Sequence, residues 1–168
     1  MVEETYQQIL ADLEHSLREG VTYRERIEAV FRRVGRLSPH ELEVVQLVVR
    51  EALTSGERRS RLVNRFLRGH IPLLLRSVID GIETGELDPS IHPLVGMACS
   101  LGIGAVPTLM LRAAAERGSD MAQNQEIPPI MRLATAEILK QIPDSDRLAE
   151  VLSGITLRAL GKRSNEGK

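Results

Sequence analysis

The sequence is poor in aromatic residues: its 168 residues include no Trp, two Tyr and two Phe. Strand-forming side chains are therefore scarce, and Val and Ile recur at helical rather than alternating spacing. The scarcity also argues against single-stranded nucleic-acid binding, in which bases stack on aromatic rings. We expect one all-α domain, because the chain is long enough to bury a core but has the length of a single domain.

Cysteine is nearly absent as well, which excludes an internal disulfide. The one cysteine, Cys99, lies in an apolar stretch without a neighbouring positive charge to activate it. An inert buried thiol is therefore favoured over a nucleophile. A single thiol fits a reducing compartment, and the acidic, amphipathic N-terminus is not a signal peptide. These features predict a cytoplasmic protein.

Assembled catalytic and metal-binding motifs are also missing. The four histidines fall on different predicted helices without a ligand partner at i+4: His15, His40, His70 and His92. No serine sits in a G-x-S-x-G elbow, and G-I-G at 102–104 lacks the third glycine and the preceding strand of a nucleotide loop. We therefore expect no metal, no cofactor and no enzymatic activity, with an unrecognised helical enzyme as the alternative.

Charged residues make up 27% of the chain and the net charge is -1, so the overall charge neither requires nor excludes a polyanionic partner. A partial stripe of arginines at 58, 61, 65 and 68 offers a contact for nucleic acid. A solvated helix face is the favoured interpretation, because no recognition helix stands out.

The most distinctive stretch runs from Pro89 to Leu111 and contains no charged residue. It has three glycines, Gly96, Gly102 and Gly104, whose small size lets another backbone approach closely. A helix of this composition must be covered on nearly all sides. Interrupting prolines and the lack of flanking aromatics favour a covering of protein over lipid, and a membrane span stays an alternative.

Apolar periodicity and capping signals predict about seven helices. We expect them at 3–19, 22–35, 39–53, 57–84, 88–118, 128–141 and 144–161, with a polar loop over 118–126. The fifth is predicted to start at Asp88, with Pro93 as the alternative start, and Gly85 is expected to stop the helix before it.

Three further expectations concern packing. The third helix is apolar almost all round and is predicted to be central. The sixth is expected to turn four residues inward: Ile130, Ala134, Ile138 and Ile142. The inner stripe of the last helix is expected to be Leu148, Val151, Leu152, Ile155 and Ala159.

The long fourth helix contains Pro72, where we expect a kink. Phe66, His70, Leu73 and Leu74 surround that position. A bundle interior of this kind can leave an apolar pocket, in which His70 would be the natural polar contact. The alternative is that His70 is an ordinary hydrogen-bonded core residue.

Residues 74–93, L-L-R-S-V-I-D-G-I-E-T-G-E-L-D-P-S-I-H-P, resemble the C-terminal domain of TetR-family transcriptional regulators. In that family a long helix closes with a G-I-x-x-G-E-L turn, and a D-P pair opens the next helix. The order of helices is similar over nearly the whole chain, although the specific motif covers about twenty residues.

The resemblance implies a ligand-binding and dimerisation domain over residues 1–162, with a disordered tail at 163–168. An apolar effector would bind at Phe66, His70, Leu73 and Leu74, and a four-helix bundle would form a homodimer. The residues implied at the dimer interface are Gly96, Gly102, Gly104, Leu148, Leu152 and Ile155.

Members of the family also carry an N-terminal helix-turn-helix head, which this chain lacks. The resemblance therefore implies repressor-like DNA binding only through such a head. Two explanations stay open: the chain is the ligand domain of a longer regulator, or it is a headless relative that binds lipid or protein.

Overall fold

The computed structural model describes residues 2–53, 57–123, 128–141 and 143–162, with side chains except at 2–3, 48–53, 57–69, 119–123, 135 and 138–139. This described chain is 83% helix, has no strands and contains seven helices when α5 and α6 are counted as one, which confirms the predicted all-α class. The helices are α1 (Val2–Glu19), α2 (Tyr23–Gly35), α3 (Pro39–Leu53), α4 (Glu57–Glu83), α5 (Pro93–Ser100), α6 (Val106–Gln123), α7 (Pro129–Lys140) and α8 (Ser145–Leu160).

Three predicted helix starts are confirmed by their capping hydrogen bonds. The backbone N–H of Glu25 donates to the Thr22 hydroxyl at 3.2 Å, and the Glu25 carboxylate accepts from the N–H of Thr22 at 3.0 Å. Ser38 and Glu41 form the same reciprocal pair before α3. The Asp144 carboxylate accepts from two N–H groups at the start of α8. Each pair satisfies backbone donors that have no partner inside the helix.

The central helix of the described fold is α2, not α3. It packs against α1, α4, α6 and α8, and the side chain of Phe31 is completely buried. The sequence-based expectation for α3 was wrong, because Leu47 is 38% exposed. In the described part of α3, Val44 forms a small separate cluster with Tyr6 and Leu10 of α1, and Val45 packs against the main core. Apolar composition shows how much of a helix can be buried, but not how many neighbours surround it.

The chain turns after α4 at Gly85, whose φ of 81° is a left-handed conformation that suits glycine. The predicted helix stop is therefore confirmed. The α5 helix begins at Pro93 with the His92 side chain as its N-cap, so the alternative start is right and the start at Asp88 was wrong. The N–H of Asp88 instead donates to the carbonyl of Leu160 at 2.9 Å, which joins this turn to the end of α8.

A π turn over Leu101–Ala105 connects α5 to α6, and the three segments form one continuous rod. The π turn accommodates Pro107, which has no N–H to donate to the carbonyl four residues back. In the turn, the N–H of Val106 donates to the carbonyl of Leu101, five residues back. This proline therefore lies inside the rod without ending it.

The rod continues to Gln123, so the predicted end at Gly118 was wrong. The predicted loop over 118–126 is helical as far as residue 123, and residues 124–127 lie outside the described part of the chain. Polar side chains favour a loop locally, but helices in proteins are stabilised mainly by tertiary packing, and α6 packs against α7.

The last two helices carry apolar side chains outward. In α7, Ile130 is 77% exposed and Ala134 is also exposed, contrary to the inward face predicted for them. The side chain of Ile138 and residue 142 are outside the described set. In α8, Leu148 and Leu152 are buried as expected. The outward residues of its predicted stripe are Val151, Ile155 and Ala159.

One helical stretch of the described chain, Pro93–Gly118, is long and apolar enough to cross a membrane by length and composition alone. The core helix of a soluble protein, which is mostly buried, passes the same test. Here 28% of the most apolar window is buried inside the chain. This single chain therefore leaves much of its most apolar rod uncovered.

Candidate functional site

A cavity of about 230 Å³ lies between α1, α2, α3, α4, the π turn and the start of α6. The α1 helix supplies one wall, with five side chains spaced three or four residues apart: Tyr6, Ile9, Leu10, Leu13 and Leu17. Val30 and Val34 of α2 face this wall, and Leu101 and Ala105 line the cavity from the π turn. The lining is almost wholly apolar, which is the property that favours uptake of an apolar ligand.

His70 and Leu74 of α4 line the cavity, one helical turn apart. His70 is 7% exposed, and its Nε2 donates to the backbone carbonyl of Leu10 at 3.1 Å. Since a carbonyl only accepts, Nε2 carries a proton, and this hydrogen bond holds the imidazole between α4 and α1. The ring thus has a structural hydrogen bond and also faces the cavity.

The structure brings together two of the four predicted ligand contacts. Leu73 is partly buried but packs against the main apolar core and does not line the cavity. The side chain of Phe66 lies outside the described set. The ligand-contact prediction therefore stays a prediction, supported at His70 and Leu74 by their position.

Arg33 is the one charged residue among the described cavity-lining side chains. Its Nε and Nη2 donate to Asp12 at 3.0 and 2.7 Å, and Nη2 also donates to Glu41. Burial lowers the pKa of this guanidinium, but the bonds to Glu41 and Asp12 outweigh burial and raise it. Two carboxylates thus already neutralise Arg33, and they tie α1, α2 and α3 together beside the cavity.

A buried polar cluster lies next to the cavity. The Ser100 hydroxyl donates to the carbonyl of Gly96 at 2.7 Å, so the Tyr23 hydroxyl donates to Ser100 in a short hydrogen bond. Burial raises the pKa of Tyr23. Ser77 is 4% exposed, and its hydroxyl has no hydrogen-bond partner among the described residues.

Of the three predicted interface glycines, two are packed within the chain and one is exposed. Gly104 lies against the ring of Phe31, and a Cβ at Gly96 would come 3.0 Å from a methyl carbon of Val78. These two glycines therefore allow close packing within the chain. Gly102 is exposed, and a Cβ there would have no neighbour within 4 Å.

The predicted interface residues of α8 divide in the same way. Leu148 and Leu152 belong to the main core, whereas Ile155 is 40% exposed. Gly102 and Ile155 are thus the two predicted contacts that face outward.

An exposed apolar stripe follows the rod at intervals of four residues, and we call it the α5–α6 stripe. Its members are Leu94, Ala98, Gly102, Val106, Met110 and Ala114. Four residues slightly exceed one α-helical turn, and the π turn takes up about one extra residue, so these positions stay on one side of the rod. Met110 is 68% exposed and Val106 is 49% exposed.

Sequence reasoning missed several cavity residues, chiefly Arg33 and the π-turn pair Leu101 and Ala105. Apolar spacing predicts that Leu101 and Ala105 are buried, but it does not distinguish a side chain that lines a void from one that fills a core, and it gives no signal for a charged residue such as Arg33. No group of three or more His, Cys, Asp or Glu side chains that could hold a metal occurs within the described ranges.

Comparison with known proteins adds no assignment. No family model, curated protein or solved structure matches this chain.

Proposed function

We propose that this chain is the effector-binding and dimerisation domain of a TetR-like transcriptional regulator, and that it is cytoplasmic and not an enzyme. The observation that carries the proposal is the apolar cavity beside His70 and Leu74. Its position between the first helices and the long proline-containing helix agrees with the place that the sequence resemblance implies for an effector. DNA binding would require a helix-turn-helix head outside this chain.

The α5–α6 stripe supports the second half of the proposal, a homodimer. Its exposed side chains are uncharged, and Ala98 and Gly102 are small enough for a partner helix to approach closely. Ile155 of α8 adds exposed apolar surface at 40% exposure, whereas Val151, which is 46% exposed, lies in a groove lined mainly by charged side chains of α2 and α8. The α8 helix packs beside the π turn. An exposed apolar stripe of this length marks an interaction site.

The π turn lies between the cavity and the α5–α6 stripe and belongs to both. Leu101 and Ala105 line the cavity, while Gly102 and Val106 belong to the exposed stripe. A ligand that presses on the inner side of this turn would therefore change the position of the outer side. An effector that binds one arrangement of two subunits more tightly would shift the population toward it, and attached heads would respond.

Native mass spectrometry of protein purified without detergent tests this proposal. We expect a homodimer that carries a small organic molecule, which denaturation releases for identification. Ala105→Leu should fill the cavity and remove that molecule while leaving the dimer. A monomer without bound molecule would contradict both halves of the proposal, and a ligand-bearing monomer would contradict dimerisation alone.

A second candidate is a lipid- or protein-binding module without DNA-binding activity on the same scaffold. The observation in its favour is the exposed apolar rod Pro93–Gly118, which is long enough to enter a bilayer. Flotation with phospholipid vesicles distinguishes the two: binding to vesicles by a chain that does not dimerise favours the module, and a vesicle-free dimer favours the regulator.

A further inference from the structure

Beside the cavity is a second, smaller void of about 10 Å³. Among its described lining residues, Tyr23, Ser77 and Ser100 provide polar side chains and the others are apolar. This volume matches the space that one water molecule or one oxygen-bearing group of a ligand needs. The void is therefore large enough for a functional group but not for a whole ligand.

Three leucines, Leu17, Leu74 and Leu101, line both the void and the cavity. The wall between the two spaces is consequently a single layer of side chains. Leucine changes rotamer at modest cost, so a ligand in the cavity can reach the void when one of these side chains turns.

Ser77 gives the void its binding capacity. Its hydroxyl is buried and lacks a partner among the described residues, whereas Ser100 already donates to Gly96 and accepts from Tyr23. An unsatisfied buried hydroxyl costs free energy, and a ligand oxygen that pairs with it recovers that cost. Ser77 can donate to a carbonyl or exchange a hydrogen bond with a hydroxyl.

The charge of the ligand follows from the neutral surroundings. Among the described side chains that line the void none is cationic, and Arg33 of the cavity is paired with Asp12 and Glu41. A buried carboxylate would therefore lack a counterion, which is a large penalty. The size follows from volume: a cavity of ~150 Å³ takes up benzene, so about 230 Å³ holds roughly nine non-hydrogen atoms.

We infer that the cavity binds a neutral, mainly apolar molecule of roughly nine non-hydrogen atoms that carries one hydroxyl or carbonyl group, and that Ser77 binds this group in the small void. The inference rests on the proposed function, because it takes the cavity as the effector site. It adds the chemical class of the effector and the residue that recognises its polar end.

The test compares three probes of similar length by two-dimensional NMR titration: 1-octanol, n-octane supplied as vapour, and octanoate. Wild-type protein should bind both 1-octanol and n-octane, and octanoate at least about tenfold more weakly than 1-octanol. Ser77→Ala should weaken 1-octanol binding roughly fivefold and leave n-octane binding unchanged. Ser153→Ala is the matched control, because that serine is equally buried but lies in α8, away from the cavity, and both affinities should stay at the wild-type value.

Each outcome separates this inference from the proposed function. If neither 1-octanol nor n-octane binds, the cavity is not a ligand site and both fail. If both bind and Ser77→Ala weakens neither, or weakens both equally, the effector site stands and the role of Ser77 is overturned. Octanoate binding as tight as that of 1-octanol would overturn the neutral class of ligand.

Discussion

Gly104 in the π turn lies against the aromatic ring of Phe31 in α2, with no room between them for a side chain. Thr108, one turn further along, is 1% exposed, and its hydroxyl donates to the carbonyl of Gly104 at 2.8 Å. The contact between Gly104 and Phe31 sets how closely the rod approaches the central helix. It thereby positions Leu101 and Ala105 at the edge of the cavity.

Replacing Gly104 with alanine should destabilise the fold by about 2 kcal/mol, because the added methyl overlaps the Phe31 ring in a packed core. Urea denaturation measures this free energy of unfolding. Gly154→Ala is the control, since a Cβ there comes no closer than 4.0 Å to a neighbour. That change should stabilise α8 by about 0.5 kcal/mol through helix propensity. Equal unfolding curves for Gly104→Ala and wild type would show that Phe31 moves aside freely.

Ala105→Leu should stabilise the protein by about 1 kcal/mol, because the larger side chain fills cavity volume. The same substitution should abolish uptake of apolar ligand. Ala149→Leu provides the contrast: Ala149 is 1% exposed in a filled part of the core, so the added carbons should destabilise the fold by about 2 kcal/mol. Thermal unfolding with and without 1-octanol measures both effects. Retained ligand stabilisation in Ala105→Leu would place the ligand elsewhere.

Met110→Glu tests the homodimer. Met110 is 68% exposed in the single chain, so a glutamate there leaves the subunit fold intact. In a two-fold dimer built on the α5–α6 stripe the substitution buries a charge on both subunits, which should weaken association by about 3 kcal/mol, or a hundredfold. Val21→Glu, at a position 84% exposed between α1 and α2, should leave the dimer unchanged. Analytical ultracentrifugation measures both, and a Met110→Glu dimer of wild-type strength would exclude the stripe as the interface.

The lowered pKa of Glu41 should make the stability of the folded state depend on pH. Burial raises its pKa, but hydrogen bonds from Ser38 and Arg33 outweigh burial, so the pKa lies below its ordinary value of 4.5. A lowered carboxyl pKa stabilises the folded state above the ordinary pKa, and this contribution is lost as the pH falls through the lowered value. Glu41→Gln keeps the capping geometry but not the charge. We expect it to cost about 1 kcal/mol at pH 7, or roughly 2–4 °C in Tm, and less near pH 3, below the ordinary pKa.

The control for this pH effect is Glu137→Gln, whose exposed ion pair with Lys140 should leave the melting temperature unchanged at either pH. A Glu41→Gln deficit that persists undiminished at pH 3 would mean that the lost interaction is not ionic.

Much of the local structure could be predicted from the sequence, because it depends on interactions between residues close together in the chain. The reciprocal caps at Thr22 and Ser38 and the left-handed turn at Gly85 depend on side chains within a few positions, so sequence neighbours suffice to predict them. The all-α class follows similarly from apolar spacing and from the scarcity of strand formers. The start of α5 was harder, because Asp88 and Pro93 both carry a helix-start signal, and the bond from Asp88 to Leu160 decides between them.

By itself, then, the sequence determined that the chain is helical and where most of its helices start and stop. It also determined that the chain contains a long uncharged stretch with three glycines. The tertiary structure alone decided which helix is central, that Gly104 packs on Phe31 while Gly102 faces outward, and that His70 and Leu74 share a cavity from which Leu73 is absent. The physical reason is that apolar spacing records only that a face avoids water. Whether a face is covered by its own chain, lines a void or awaits a partner depends on packing between residues far apart in sequence.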